Sequence, residues 1–220
     1  MSTALLEPAV RDPAGYAAPR SAPIPRPHRL TAAEYLERDD AAERRSEFIE
    51  GEMFSMAGAS RIHVRIVGNI VQSLINQTEE RDCDIFFNDT RVRAGIRYYY
   101  PDVGAICGDY LLDDLNEKTL TNPGVVIEVL SKSTADLDRG VKLRDYLRLP
   151  SLRTYLLVSQ DAPVVEQYER DSETDAWRFM AHEGVGETVE LPAIGCRLPL
   201  TSVYRRVAFP DPDALSSSSE

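Results

Sequence analysis

Several residue types are scarce in this chain of 220 residues, and each scarcity excludes something. Lysine accounts for only three of the 25 basic residues, Lys118, Lys132 and Lys142, so each lysine merits individual inspection. The three cysteines, Cys83, Cys107 and Cys196, are far apart and odd in number. That spacing predicts neither a disulfide framework nor a CxxC zinc knuckle, and it fits a reducing, cytoplasmic setting. The three histidines, His28, His63 and His182, are scattered and form no HExxH motif. His63 falls at the start of a predicted helix and reads as a helix-face or packing residue. No apolar run approaches the roughly 20 residues of a membrane helix, and runs such as Val125-Val126-Ile127 and Leu156-Leu157-Val158 are strand-sized. The first residues show no basic segment followed by an apolar one, so a secretory signal is not expected. GxSxG, GxxxxGK[ST] and GxGxxG are all missing, which removes the nucleophile elbow, the P-loop and the dinucleotide fingerprint.

What is abundant is acid. Asp and Glu number 36, the net charge is −11 and the pI is near 4.8. Proteins that bind nucleic acid over a broad surface are usually basic, because phosphates dominate the affinity. Any such contact here must use a local arginine patch, a groove between two copies, or a divalent metal that offsets the carboxylates. Arg91, Arg93 and Arg97, on or beside a strand, are one candidate phosphate-contacting set, although arginines on exposed strand faces are common.

Residues 1–28 are rich in Pro and Ala, residues 208–220 end in a serine run, and neither has an apolar period. Both read as disordered or extended tails, which leaves one domain over 29–207. Thr31 and Glu34 form a capping-box pattern for a short helix. The stretch Ser46-Glu47-Phe48-Ile49-Glu50-Gly51-Glu52-Met53-Phe54 predicts a strand pair turning at Glu50-Gly51. Ile62, Ile66, Val67, Ile70, Val71 and Leu74 lie on one face of a helix over 61–77, capped by Ser60. Strand signals cover 85–87, 90–94 and 98–107, with Pro101 requiring an edge or a bulge. Residues 125–130 form the most apolar segment and predict a central strand covered on both faces. A helix from Ser133 or Thr134 to about 149, stopped by Pro150, then leads to a strand over 154–158. That order is the minimum for a right-handed parallel crossover. VVEQYER and AWRFMA then alternate as an antiparallel meander. The fold class is α/β, a mixed sheet flanked by helices.

Glu128 lies within the apolar strand, where a bare carboxylate is costly unless it is paired or binds a metal. Two readings stay open: a structural ion-pair member, or one member of a convergent site. Asp102, after Pro101 on what reads as a neighbouring strand, is a candidate partner, although alone it is an ordinary strand-end residue. Lys142 shares a helix face with Asp138 and Tyr146. That face is either a solvated surface carrying a weak ion pair or one turned toward the carboxylates. Glu47, beside Ile49 in the hairpin, is a fourth candidate, against the simpler reading of a solvent-facing acid. Oxygen ligands on adjacent strand ends suit Mg²⁺ or Mn²⁺, and a nearby lysine could stabilise charge developing on a phosphate.

Three strings carry a resemblance. They are Tyr100-Pro101-Asp102-Val103, the run from Pro123 to Thr134 containing Glu128-Val129-Leu130-Ser131, and Asp138-Arg139-Gly140-Val141-Lys142-Leu143-Arg144-Asp145-Tyr146. Together they closely resemble the Uma two family of putative restriction endonucleases, within the PD-(D/E)XK nuclease superfamily. The segment from Ser46 to Ile70, with its acid before a glycine-containing hairpin and a histidine opening a helix, is similar to the family's N-terminal signature. The likeness covers about 29–207. It implies a restriction-endonuclease-like core and a Mg²⁺-dependent (or Mn²⁺-dependent) endonuclease acting on DNA, with two copies expected to form a homodimer. It also implies Asp102 and Glu128 as metal ligands, the Val129 carbonyl as a third, Lys142 as the catalytic lysine and Glu47 as an accessory acid. The chain departs from the superfamily pattern at Leu130, where the E-x-K lysine would stand, and the resemblance assigns that role to Lys142. A nuclease-fold module that binds or assembles without cutting is the alternative.

Overall fold

The computed structural model describes residues 29–56 and 58–209. The expected tails therefore lie outside the described residues, apart from Ala208 and Phe209. Helix α1 (Ala32–Ala41) opens with the predicted capping box, the Thr31 hydroxyl accepting from the Glu34 amide and the Glu34 carboxylate accepting from the Thr31 amide. Strands β1 (Ser46–Ile49) and β2 (Glu52–Ser55) form the hairpin. Its turn residues Glu50 and Gly51 have φ of 52° and 87°, and a Cβ on Gly51 would lie 2.6 Å from that of Arg29. Only glycine fits there. Helix α2 (Arg61–Thr78) is capped by Ser60 and buries Ile66, Val67, Ile70, Val71 and Leu74, as the period predicts.

Next come β3 (Cys83–Phe87), β4 (Arg91–Ala94), β5 (Arg97–Tyr99), β6 (Val103–Cys107), β7 (Leu112–Asp113), β8 (Asn116–Leu120) and β9 (Val125–Val129). The crossover helix is not uniform. A single turn α3 (Ala135–Leu137) passes into a wider π-type turn over Asp138–Lys142 and then into α4 (Leu143–Tyr146). β10 (Thr154–Val158), β11 (Val164–Arg170), β12 (Trp177–Glu183), β13 (Thr188–Leu191), β14 (Cys196–Pro199) and α5 (Leu200–Val203) complete the order.

The strands divide between two six-stranded sheets, β2-β1-β5-β4-β8-β7 and β12-β11-β10-β9-β6-β3, with β13-β14 as a separate ribbon. The segment expected to be one strand over 98–107 breaks at Tyr100-Pro101-Asp102, with β5 in one sheet and β6 in the other. Proline has no N–H for the ladder, which favours a change of sheet at this point. The crossover appears as predicted, with β9 and β10 parallel and Glu128 beside Leu157. The meander of β11 and β12 is antiparallel.

Alternation along β9 organises the core. Val125, Ile127 and Val129 face α2, together with Val103, Ala105, Leu156 and Val158. Val126 and Leu130 face the first sheet and pack with Ile49, Val92, Ala94 and Tyr99. The second sheet is therefore covered on both sides, and Glu128 points into the inter-sheet side. Among the described residues no helix is long and apolar enough to cross a membrane.

Two expectations need correction. Cys83 and Cys107 lie directly opposite one another on β3 and β6 and form a disulfide, leaving Cys196 free and buried. A separation of 24 residues conceals antiparallel neighbours, and the cysteine pattern no longer argues for a reducing compartment. Arg91, Arg93 and Arg97 are not available for phosphates. Arg91 is 2% exposed and pairs with Asp39 and Asp40, Arg93 pairs with Asp113, and Arg97 pairs with Asp145 and Glu50. The hydroxyl of Tyr100 also donates to Asp39. Because Asp39 is fully buried, Arg91→Met should strand its charge and lower stability by about 3–5 kcal/mol in urea unfolding.

Candidate active site

The inter-sheet space around Glu128 is where the chemistry-bearing side chains meet. Glu128 is 3% exposed, Lys142 4%, Glu47 6% and Asp138 2%. The Lys142 Nζ lies 2.7 Å from Glu47 Oε1, 3.1 Å from Asp138 Oδ1 and 3.3 Å from Glu128 Oε1. They arrive from three elements: Glu47 from β1, Glu128 from β9, and Asp138 and Lys142 from the two ends of the π-type turn. Such turns are uncommon and often occur at functional sites. Tyr99 and Tyr146 pack in a tilted pair with ring centroids 5.4 Å apart, and the ammonium lies 5.7 Å from the centre of the Tyr99 ring.

Asp102 occupies the bend just before β6, at the open end of the same pair of strands. Its Oδ2 accepts from the Val129 amide at 2.7 Å, and its own amide donates to Glu128 Oε2 at 3.3 Å. The two carboxylates are thus tied together across the β6–β9 boundary. In an extended strand the N–H and C=O of one residue point to the same side, so the Val129 carbonyl also faces Asp102. Asp102 Oδ1 lies 2.9 Å from His63 Nε2 in the first turn of α2. Leu130, two residues beyond Glu128, packs at 7% exposure in the inter-sheet core. The cation near Glu128 comes instead from the crossover helix.

The electrostatics follow from burial. Burial alone would push the Lys142 ammonium down, but attraction from Glu128, Glu47 and Asp138 outweighs it and holds the group above its usual range. Burial raises Glu128, with repulsion from Asp138, Asp102 and Glu47 adding to it and Lys142 opposing. Glu47 is likewise raised by burial, against Lys142. Three carboxylates surround one lysine, so the pocket is short of positive charge.

The structure brings together Asp102, Glu128, Lys142 and Glu47, with the Val129 backbone beside them. It also adds two residues to that set. Asp138 was readable as half of a surface ion pair or as part of a helix face turned toward the carboxylates, and its burial decides for the second. The signal for burial was the apolar strand that its helix must cover. His63 does not simply pack. It meets Asp102, and the only hint was its place in the first turn of a helix that follows the hairpin. Among the described residues no group of three His, Cys, Asp or Glu side chains is arranged to hold a metal ion.

The sequence model of the Uma2 family, described as "Putative restriction endonuclease", matches residues 32–201. The chain belongs to the Uma2 family. Two proteins of Synechocystis sp. (strain PCC 6803), both described as uncharacterized, are similar. The protein sll1609 is 37% identical over 164 residues, covering 74% of this chain and 91% of its own length. The protein slr1290 is 31% identical over 191 residues, covering 86% and 97%. A crystal structure from Anabaena variabilis ATCC 29413, described as a putative nuclease belonging to DUF820, superposes with a TM-score of 0.67. It is 17% identical and covers 81% of this chain and 99% of that one, so it shares the fold. The family description points to a restriction-endonuclease-like nuclease for this Uma2 chain.

The charge imbalance gives a stability prediction. In EDTA, Glu128→Gln should raise the unfolding free energy by about 1 kcal/mol, because it removes one of the competing carboxylates. Lys142→Met should lower it by about 3–5 kcal/mol, because it leaves Glu47, Glu128 and Asp138 facing one another. Chemical denaturation of the two variants beside the unaltered protein reads both signs.

Proposed function

We propose that this protein is a metal-dependent endonuclease that hydrolyses DNA phosphodiester bonds with a PD-(D/E)XK type site. The observation that carries the reading is the convergence of Asp102 and Glu128 at the ends of β6 and β9 with the Lys142 ammonium 3.3 Å from Glu128. The two carboxylates and the Val129 carbonyl are all oxygen donors, the chemistry that hard divalent ions select, and the pocket's excess of negative charge favours a cation. Mg²⁺ or Mn²⁺ bound there would lower the pKa of an attacking water and offset charge on the scissile phosphate.

The chain's own residues would do the remaining work. Lys142, held charged by its three carboxylate neighbours, stabilises negative charge developing on the phosphoryl oxygens. Glu47 and Asp138 fix the direction of that ammonium. The Val129 amide and His63 hold the two oxygens of Asp102, so the carboxylate is preorganised rather than free to rotate. The inter-sheet aromatic wall of Tyr99 and Tyr146 excludes water behind the lysine and strengthens each of these interactions. A homodimer would supply two such sites for two strands.

A second reading, a nuclease-fold module that binds without cutting, draws support from the net charge of −11. The deciding experiment incubates purified protein with plasmid and oligonucleotide DNA in Mg²⁺, in Mn²⁺ and in EDTA. The nuclease reading expects cleavage only with metal, and a drop of at least about 100-fold in Asp102→Ala and in Glu128→Ala. Calorimetry with Mn²⁺ should show matching loss of affinity while the circular dichroism spectra stay folded. Cleavage that survives in Asp102→Ala would sink the site assignment. Binding without cleavage in every divalent condition would favour the module.

A further inference from the structure

The arginines placed on or against the sheets are largely neutralised. Arg91, Arg93, Arg97, Arg139, Arg170 and Arg178 each make an ion pair. Another group does not. Arg61 and Arg65 on α2, Arg197 on β14 and Arg205 just after α5 are exposed and make no ion pair among the described residues. They line one continuous trough made of two adjoining hollows that share Asn69, Gln72 and Arg205. No residue lining either hollow is acidic. The stretches that supply most of them, 61–78 and 191–209, contain no Asp or Glu at all, in a chain with 36 acidic residues. A strongly anionic protein thus keeps one acid-free, arginine-bearing face.

Fold stability does not account for that composition. Arg61 and Arg65 stand in the first turns of α2, where the helix dipole disfavours cations, and no acidic residue accompanies them. Gly68, mid-helix and exposed, would have its Cβ in open space, with nothing within 4 Å. Packing therefore does not require glycine there, and glycine in a helix interior is unfavourable. Its effect is to lower the surface between the arginines, which lets a backbone approach closely. The trough is also held firm. The Gln77 amide donates to the Arg197 carbonyl at 2.9 Å and Gln77 Oε1 accepts from the Arg197 amide at 3.0 Å. Asn69 donates to the carbonyls of Val203 and Arg205, and the Arg205 guanidinium donates to Gln72 at 2.6 Å.

The trough runs along the side of α2 turned away from His63 and Asp102, but its Arg61 end lies at the strand ends that carry the candidate site: the Ser60 hydroxyl donates to Gln160 at 2.6 Å, and the Gln160 amide donates at 2.7 Å to the carbonyl of Leu130, two residues beyond Glu128. From there it follows α2 for about 24 Å at 1.5 Å per residue, the rise of about seven phosphates along one strand. We infer that this arginine-lined trough seats the sugar–phosphate backbone of duplex DNA as it enters the site. The inference rests on the nuclease reading above and adds the path of its substrate. Charge complementarity selects an anion, the length and polarity of the trough suit a phosphate backbone, and a stable dimer would require a more apolar patch.

The test is fluorescence anisotropy with a short labelled duplex, in Ca²⁺ instead of Mg²⁺ so that binding is read without cleavage, across a series of salt concentrations. Arg61→Ala/Arg65→Ala is the main variant, Arg205→Ala a second, and Arg178→Ala, paired with Asp171 elsewhere on the surface, the control. The double variant should bind about 30-fold more weakly at physiological salt, and its log–log salt slope should be shallower by about 2. The control should match the unaltered protein, and melting curves should show all variants folded. Unchanged affinity and slope in the double variant, with the unaltered protein still binding DNA, would overturn the trough and leave the nuclease reading standing. Loss of a dimer in light scattering with DNA affinity kept would also overturn it, by assigning the face to a second copy. Failure of the unaltered protein to bind or cut DNA with any divalent ion would overturn the nuclease reading, and the trough with it.

Discussion

The contact between the Lys142 ammonium and three buried carboxylates constrains everything around it. Glu47, Glu128 and Asp138 could not share one inter-sheet pocket in ionised form without a cation among them. Lysine suits that task because it is a compact charge on a long stem that can reach in from a flanking helix. The apolar strand β9 sets the depth of the pocket, the β1–β2 hairpin closes one wall, and the crossover helix delivers the charge. The same contact explains how the chain tolerates Leu130. The position two residues beyond the glutamate is filled by packing, and the positive charge enters from outside the strand.

Asp102 depends on a different device. Pro101 ends one sheet and Asp102 begins the approach to the other, so the carboxylate sits where backbone donors are not all used by ladder partners. It takes the Val129 amide and receives His63 from the opposite layer. A residue in regular pairing could not reach across both. The bend that breaks the predicted 98–107 strand is thus what places an acid at the strand ends.

How much of this was legible follows from which signals are local. The α2 period, the Thr31 and Ser60 caps, the Glu50-Gly51 turn and the β9–helix–β10 crossover are written in neighbouring residues, and the structure reproduces them. Glu128 stood out because a charge inside an apolar run is a local anomaly, and Lys142 because lysine is rare in this chain. Long-range pairings were not visible. Nothing near Cys83 announces Cys107 on an adjacent strand, nothing near Arg91 announces Asp39 on α1, and nothing near His63 announces Asp102. The split into two sheets was hidden for the same reason, since strand segments reveal their own burial but not their neighbours. The free arginines escaped notice because they stand singly along α2, β14 and the turn after α5, while the clustered set at 91–97 is absorbed by carboxylates.

The wide turn over Asp138–Lys142 carries its own evolutionary consequence. Its backbone accommodates one residue more than tight α-helical winding would, and it holds both an acid and the lysine on the pocket side. Removing a single residue from that segment would rotate everything after it by about 100°, swinging either the ammonium or the Tyr146 ring out of phase with the sheet. The loop that follows, ahead of β10, could absorb changes in length; this segment could not. Length variation among natural versions of the chain should therefore spare this stretch even where the surrounding surface drifts freely.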